Sequence, residues 1–232
     1  MQGQHGIAKL NTLQNHIPTT QMPNQAAISA HKLSCIRGDN QLFRDVSFEV
    51  HQGQCLHVTG PNGCGKTSLL RLICGINTTE EGQIAWCGTD INDNPTFLSQ
   101  SVYLGHKEGL KNELTAIENL RYYQLLETKQ DELVLDDVLA KMGILNCADL
   151  LAQQLSFGQR RRLSFARLLM ADFQLWILDE PFTGIDIAGR DLIESLCVNH
   201  LKNKGLIIMT HHQSLTDSRL NQYRSELKLG SA

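Results

Sequence analysis

The chain has 232 residues, 41% of them apolar and 19% charged, which is enough for one globular domain with its own hydrophobic core. Its formal charge is -3, from 21 Lys and Arg against 24 Asp and Glu, and this balance argues against a protein that coats nucleic acid nonspecifically. The longest wholly apolar runs, such as 175–178, are four residues long, so no membrane-spanning helix of about 20 residues is predicted.

Residues 1–26 are rich in Gln, Asn and Thr and contain few large apolar side chains, so we expect a disordered N-terminal extension there. Regular apolar patterns begin near Ala27, and the folded domain is assigned to 27–217. Within it, residues from about 91 to 165 have a mainly helical pattern and are expected to form an inserted helical subdomain. Residues 218–232 are expected to be a short C-terminal tail.

Periodicity predicts strands and one helix in the first hundred residues. Apolar and polar residues alternate over 46–50, which is the pattern of a half-buried strand, and further short strands are predicted at 56–58 and 83–87. Between the last two, the leucine-rich run 69–73 indicates an amphipathic helix that ends before Gly75.

The strand at 56–58 leads into a glycine-rich loop that precedes this helix. The loop matches the pattern G-x-x-x-x-G-K-[ST] and consists of Gly60, Pro61, Asn62, Gly63, Cys64, Gly65, Lys66 and Thr67, followed by Ser68. Glycines let successive backbone amides curl around phosphate oxygens, and the helix N-terminus adds partial positive charge. Lys66 is expected to reach the β- and γ-phosphates, and the Thr67 hydroxyl to bind Mg²⁺. The loop therefore predicts binding of a nucleoside triphosphate with Mg²⁺.

Helical spacing continues beyond residue 100. Thr115 and Glu118 form a predicted capping box, in which each side chain accepts a hydrogen bond from the backbone amide of the other. Apolar residues over 117–125 follow the box at helical spacing, and a second helix is predicted over 135–142, before Gly143.

Residues 155–159 begin a further predicted helix. They are Leu155, Ser156, Phe157, Gly158 and Gln159, and Ser156 with Gln159 fits a second capping box. A capped N-terminus with a glycine beside it is also a potential anion site. The three arginines that follow, at 160–162, are typical of a solvated helix face, and we assign them no chemistry.

Two acids end an apolar strand in the last third of the chain. Two runs of strand length, 175–178 and 206–209, flank a helical stretch at 188–201, and this order predicts a parallel sheet. Asp179, at the end of a buried strand, is expected to be the second Mg²⁺ contact, directly or through water. Glu180 comes next and is expected to polarise the water that attacks the γ-phosphate.

The motifs occur in an order that resembles the nucleotide-binding domain of ABC transporters, over about 28–217. They are the loop 60–67, the segment L-S-x-G-Q, the acids that precede a proline, Asp186 and a Thr-His segment. The resemblance implies an α/β fold of the P-loop NTPase class. This fold has a RecA-like parallel sheet core, an antiparallel β edge and an inserted helical subdomain.

Further roles come only from this resemblance. Two such domains form a head-to-tail homodimer, and each ATP lies between the loop of one copy and the signature segment 155–159 of the other. Asp186 belongs to the D-loop at that interface. A histidine after the strand 206–209 contacts the γ-phosphate and pairs with Glu180. His212 fits the T-H-Q-x-L ending better, and His211 is the alternative.

The chain departs from the usual ABC pattern at three positions. His106 stands at the Q-loop position, where most relatives carry a Gln that contacts Mg²⁺ and communicates with the membrane subunit. Arg37 stands near the place of a Tyr that stacks on adenine; an Arg plane can also stack on a base, and a surface charge is the alternative. Phe157 replaces the first Gly of the signature, which leaves contacts by Ser156 and Gly158 possible.

Longer phrases resemble the CcmA family, the haem-exporter ATPase subunits of cytochrome c biogenesis. They lie at 103–121, 159–168 and 176–186. The resemblance implies a peripheral protein on the cytoplasmic face of the bacterial inner membrane. Its partners there are the membrane subunit CcmB, with CcmC and the haem chaperone CcmE nearby, and its ATP cycle drives haem export or release of the haem-loaded chaperone.

Three other functions remain as alternatives. The first is the ATPase subunit of another small-molecule ABC transporter. The second is a soluble ABC ATPase acting on nucleic acid or ribosomes, although such proteins usually join two cassettes in one chain. The third is a P-loop kinase or a nucleotide-gated binding module, against which the signature segment, the acid pair and the histidine argue together.

Overall fold

The computed structural model describes residues 27–127, 134–211 and 219–230. The extension predicted at 1–26 lies outside these residues. In chain order the strands are β1 (Ile28–Arg37), β2 (Asn40–Val50), β3 (Cys55–Thr59), β4 (Glu81–Trp86), β5 (Thr89–Asp90), β6 (Ser101–Leu104), β7 (Leu175–Leu178), β8 (Leu206–Thr210) and β9 (Arg224–Lys228). The helices are α1 (Lys66–Ile73), α2 (Phe97–Gln100), α3 (Ala116–Glu127), α4 (Leu135–Lys141), α5 (Phe157–Ala166) and α6 (Ile187–Lys202).

The strands form two sheets, which confirms the predicted α/β class. The first is antiparallel in the order β2-β1-β4-β5, and the second is parallel in the order β6-β7-β8-β3-β9. Every residue of β7 and β8 is buried. Along each strand, successive side chains point alternately into two different core clusters. One cluster includes residues of α1 and the antiparallel sheet, and the other includes residues of the later helices. A strand covered on both faces reads as an unbroken apolar run, as the sequence does here.

The local signals for helix ends are confirmed. The Glu118 amide donates to the Thr115 Oγ1 at 3.2 Å, and the Thr115 amide donates to the Glu118 Oε2 at 2.8 Å, as the predicted capping box requires. Helix α1 stops two residues before Gly75, which has a φ of 67°, and α4 stops two residues before Gly143, with a φ of 66°. Both glycines adopt the left-handed backbone conformation that commonly ends a helix and that glycine adopts at little cost in free energy.

Two strands lie where the sequence pattern indicated something else. Strand β6 falls inside the range 91–165 that has a mainly helical pattern, and it pairs with β7 at the edge of the parallel sheet. Strand β9 falls inside the predicted tail and pairs with β3 along its whole length. Both are edge strands of four or five residues, too short for their periodicity to stand out.

The parallel strands bring their carboxyl ends to one edge of the sheet. The residues that come directly after β3, β7 and β8 therefore meet there: the glycine-rich loop, the two acids and the first predicted histidine. Among the described residues, no helix combines the length and apolar character needed to span a bilayer.

Candidate functional site

The glycine-rich loop curls between β3 and α1, as predicted. Gly60, Gly63 and Gly65 have φ values of 146°, 83° and 98°, a backbone that side chains other than glycine rarely adopt. Lys66 is 7% exposed, and its Nζ donates to the carbonyl oxygens of Gly60 at 2.9 Å and Pro61 at 3.0 Å. An ammonium held by two backbone carbonyls of the loop at a helix N-terminus is suited to bind a polyphosphate.

Gly60 lies in close contact with the segment that comes after β9. A Cβ added to Gly60 would lie 2.5 Å from the Leu229 carbonyl oxygen and 2.8 Å from the Cys64 Sγ. The Leu229 amide also donates to the Thr59 carbonyl oxygen at 2.8 Å. The outer side of the loop is therefore supported by residues that the sequence pattern assigned to a tail.

We expect Gly60→Ala to lower the free energy of unfolding by about 1–3 kcal/mol, because the added methyl group overlaps backbone that has no room to move. Gly63→Ala is the matched control: its glycine also has a positive φ, but nothing lies within 4 Å of the added Cβ. Thermal melts of both variants measure the difference. Equal melting temperatures for the two variants would show that Leu229 does not support the loop.

Asp179 is the centre of the site. Its side chain is 2% exposed and accepts hydrogen bonds from the Thr67 Oγ1 at 2.9 Å and the Thr210 Oγ1 at 2.6 Å. The structure thus brings together Thr67 and Asp179, the two residues predicted to hold Mg²⁺. Thr210 was missed, and its only signal was its position directly after the apolar run 206–209.

Glu180 has an unusual backbone conformation. Its φ of 49° lies in the left-handed region, which costs a residue other than glycine of the order of 1–3 kcal/mol. Its amide donates to the Thr210 Oγ1 at 2.9 Å, and its Oε2 accepts from the Thr183 Oγ1 at 3.2 Å. Such strain persists where surrounding contacts fix it, and it is common at functional sites.

A cleft of about 540 Å³ opens beside these residues. Thr67, Asp179 and Glu180 line it together with His106, which is exposed on its wall. The structure therefore places the Q-loop position at the same cavity as the acids. Arg37 is exposed at the end of β1, at the turn into β2, and does not line this cleft.

The signature segment lies outside the cleft that its own chain forms. Its predicted capping box is confirmed: the Gln159 amide donates to the Ser156 Oγ at 3.3 Å, and the Ser156 amide donates to the Gln159 Oε1 at 2.8 Å. Gly158 has open space around it. Phe157 is 53% exposed, and its ring lies so close to Gly184 that there is no room for a Cβ at that position.

The interpretation of the arginine triplet 160–162 as a solvated face is wrong. Arg161 is 3% exposed and donates to three backbone carbonyl oxygens. Arg162 donates to both carboxylate oxygens of Asp186 at 2.9 Å. The Gly189 amide, together with Arg162, lowers the pKa of Asp186 from its usual value, and the same amide bond caps α6. Periodicity could not separate these arginines from exposed ones.

The histidines after β8 are only partly within the described residues. His211 comes directly after β8, and its ring lies edge-on to Phe182 with the ring centres 5.6 Å apart. His212, the preferred candidate, lies outside the described residues, so the choice between the two stays a prediction.

The fold and the site together define the class of protein, an ATP-binding cassette. The family model described as "ABC transporter" matches residues 43–183. The ATP-binding subunit of an ABC transporter superposes with a TM-score of 0.76 at 21% identity, covering 88% of each chain. A dimeric ATP-binding cassette in a post-hydrolysis state, bound to ADP and phosphate, superposes with a TM-score of 0.74 at 18% identity, covering 87% of this chain and 96% of that one.

Similar curated proteins narrow the class further. Two of them carry the name "Cytochrome c biogenesis ATP-binding export protein CcmA". The one from Nitrosomonas europaea is 46% identical over 82% of this chain and 91% of its own length, and the one from Histophilus somni is 41% identical over 85% and 92%. The chain belongs to the ABC transporter family and, within it, to the CcmA proteins. It is accordingly an ATP-binding protein and an ATPase.

Proposed function

We propose that this protein is the ATP-hydrolysing, energy-coupling subunit of an ABC transporter complex for cytochrome c biogenesis, which exports haem or releases a haem-loaded chaperone. The cytochrome c part of the proposal is supported by the names of relatives that are 41–46% identical over most of the chain. The hydrolytic part is supported by one observation. Hydrogen bonds through Asp179 and Thr210 join the glycine-rich loop to Glu180.

The residues of the site suit ATP with Mg²⁺. Backbone amides of the loop 60–65 and the Lys66 ammonium would bind the phosphates. The Thr67 hydroxyl and the Asp179 carboxylate would hold Mg²⁺, and the described residues contain no cluster of three His, Cys, Asp or Glu side chains that could hold a metal ion by itself. One hydroxyl and one carboxylate fit an ion that takes its other ligands from phosphate and water. Bound Mg²⁺ neutralises charge that develops on the phosphates.

Glu180 would act on the attacking water. Its carboxylate comes directly after the Mg²⁺ residue Asp179 and lines the same cleft. The Glu180 amide donates a hydrogen bond to the Thr210 hydroxyl, which restrains the backbone from which the carboxylate extends. A carboxylate in this position can orient the water and accept its proton.

The remaining site residues would act between two copies of the chain. In a head-to-tail homodimer, the segment 155–159 would contact the nucleotide of the partner through Ser156 and Gly158. Asp186 would lie at the interface, and His212 or His211 would contact the γ-phosphate. Arg37 would lie by the adenine, and His106 would link the nucleotide to the membrane subunit. Supporting observations are the capped N-terminus of α5, the open space at Gly158, and the position of Ser156 outside its own cleft.

The partners in this proposal are those of a Ccm system. The membrane subunit would be CcmB, with CcmC and the haem chaperone CcmE nearby, and the ATPase would bind them peripherally at the cytoplasmic face of the bacterial inner membrane. The names of the curated relatives support a system of this kind.

Gene deletion with complementation tests the proposal. We expect the deletion strain to lose its c-type cytochromes, and the wild-type chain to restore them while Glu180→Gln does not. Affinity purification from native membranes should recover a multi-helix membrane protein together with haem-maturation proteins. Unchanged cytochromes alongside a defect in an unrelated uptake system would instead indicate another small-molecule ABC transporter.

We expect alkylation of Cys64 to block ATP binding, because its Sγ lies against the loop at Gly60 and the added group would have to distort the backbone that holds the phosphates. Bound ATP should protect the thiol. Cys87 is exposed and Cys35 and Cys64 are half-buried, whereas the other four cysteines are buried. Cys64→Ala is therefore the control: it should keep ATP binding after treatment with N-ethylmaleimide. Full ATP binding by protein shown by mass spectrometry to be modified at Cys64 would contradict the prediction.

A further inference from the structure

Arg161 lies at the junction of three chain segments. It extends from α5 into the interior, where Nη1 donates to the Gly105 carbonyl oxygen at 3.1 Å. Nη2 donates to the carbonyl oxygens of Asp179 at 3.2 Å and Glu180 at 3.0 Å. Gly105 directly precedes His106, so one guanidinium contacts the signature helix, the Q-loop and the two acids after β7.

The contacts of Arg161 complete the support of Glu180. The Glu180 amide is held by Thr210 and its carbonyl oxygen by Arg161, so side chains from two different elements hold both ends of a residue with a φ of 49°. Because such strain persists only where surrounding contacts fix it, we expect Glu180 to return to an ordinary backbone, with its carboxylate redirected, when these contacts are lost.

The charge of Arg161 also suits this place. Burial lowers the pKa of the guanidinium, and the nearby carboxylates of Glu108, Asp179 and Glu180 oppose that shift. Its hydrogen bonds to Gly105, Asp179 and Glu180 all go to backbone carbonyl oxygens and not to the carboxylates. A planar guanidinium with several donors can bridge three carbonyls, which a lysine ammonium on a flexible stem does poorly.

We propose that Arg161 is a positioning residue for ATP hydrolysis, which holds Glu180 in its active conformation and links it to the signature helix and to the loop of His106. Arg161 lies on α5, five residues after Ser156, so the link runs from the signature segment to Glu180. A shift of α5 when the signature segment meets the nucleotide of the partner copy reaches Glu180 through a single side chain. This coupling rests on the proposed function, because it requires the homodimer.

Steady-state ATP hydrolysis and ATP binding by Arg161→Gln test the proposal. We expect kcat to fall about 10²-fold, as for a reacting group displaced by about 1 Å, with the dissociation constant of ATP unchanged. Because Arg161 acts through Glu180, adding Arg161→Gln to Glu180→Gln should reduce the residual rate no further. A merely structural role would lower binding and the residual rate as well.

Two variants of the same helix are controls. Arg160→Gln removes the neighbouring guanidinium, which lies 3.6 Å from Glu108, and should keep the wild-type kcat. Leu163→Ala truncates a fully buried apolar side chain that cannot donate a hydrogen bond to these carbonyls, so it measures what lost stability alone does to kcat. All rates are measured below the melting temperature of the least stable variant. If Arg161→Gln does not fold, Arg161→Lys replaces it with the same expected separation of kcat from binding.

Three results would overturn the proposal: a wild-type kcat in the Arg161 variant, an equal loss in Leu163→Ala, or a further loss in the double variant. If Glu180→Gln itself hydrolysed ATP normally, the proposed catalytic mechanism would fail instead. An inactive Glu180→Gln beside a fully active Arg161 variant would overturn the inference about Arg161 and leave the proposed function intact.

Discussion

Replacing Glu180 by Gln lowers kcat for ATP hydrolysis by about 10²–10⁴-fold in our expectation, the range that a positioned general base contributes. The amide keeps the size of the side chain and its contact with Thr183, but it cannot accept a proton from water. ATP should stay bound, because the groups that would hold the phosphates and Mg²⁺ are unchanged. The measurement is phosphate release without any acceptor, together with the affinity for a fluorescent ATP analogue.

Thr183→Val is a useful control for this experiment. It removes the hydroxyl that donates to the Glu180 Oε2 at 3.2 Å and leaves the carboxylate in place. A modest effect there beside a large one in Glu180→Gln assigns the loss to the carboxylate itself. Normal hydrolysis by Glu180→Gln would refute the role of Glu180, and a requirement for an acceptor would favour a P-loop kinase.

Lys66→Met is expected to weaken ATP binding by about 10- to 100-fold, the equivalent of one hydrogen bond to a charged group. The methionine side chain is unbranched and only one atom shorter, but it lacks the donors that contact the Gly60 and Pro61 carbonyls. Titration with a nucleotide analogue measures the change. A melting temperature close to that of the wild type would show that the loss concerns the ligand and not the fold.

Lys111→Met is a matched control for Lys66→Met. Lys111 lies outside the cleft, with its Nζ over the Tyr122 ring at 4.6 Å from the centre. The same change of charge there should leave ATP binding as it is. If both variants lost affinity equally, the effect would come from the net charge of the protein and not from the loop.

Contiguous motifs made much of the site predictable. The loop 60–67 and the pair Asp179–Glu180 each place their chemistry within a few residues of a buried strand, and parallel strands bring such positions to one edge of the sheet. That rule brings the loop and Asp179 to the same edge, where the structure shows the hydrogen bond between Thr67 and Asp179. The capping boxes at 115–118 and 156–159 were predictable for a similar reason, since both partners lie within one helical turn.

Contacts between distant segments were not predictable in this way. Arg161 bonds to Gly105, 56 residues earlier, and to the carbonyls of the acids 18 and 19 residues later. In sequence it looks like its neighbours in the triplet, because burial of an arginine depends on which carbonyls the fold places around it. Thr210 is a similar case: its hydroxyl becomes important only because Asp179 comes directly after the adjacent strand.

The short edge strands are the part of the fold that the sequence pattern did not predict. In β9, exposed and half-buried residues alternate, and none of its five side chains is fully buried. Its apolar signal is therefore weak, although its backbone completes the sheet beside β3. Pairing in such strands depends on backbone hydrogen bonds, which any residue other than proline can make.

The strands β7 and β8 have a consequence for how this chain can vary. Their nine residues are all buried, and alternate ones project into opposite layers of the molecule. A side chain enlarged there has no solvent to turn towards, whichever way it faces. Substitutions tolerated at these positions are therefore those that keep the side-chain volume. A change of volume on one face of the sheet can be compensated only by a neighbouring residue in the same layer.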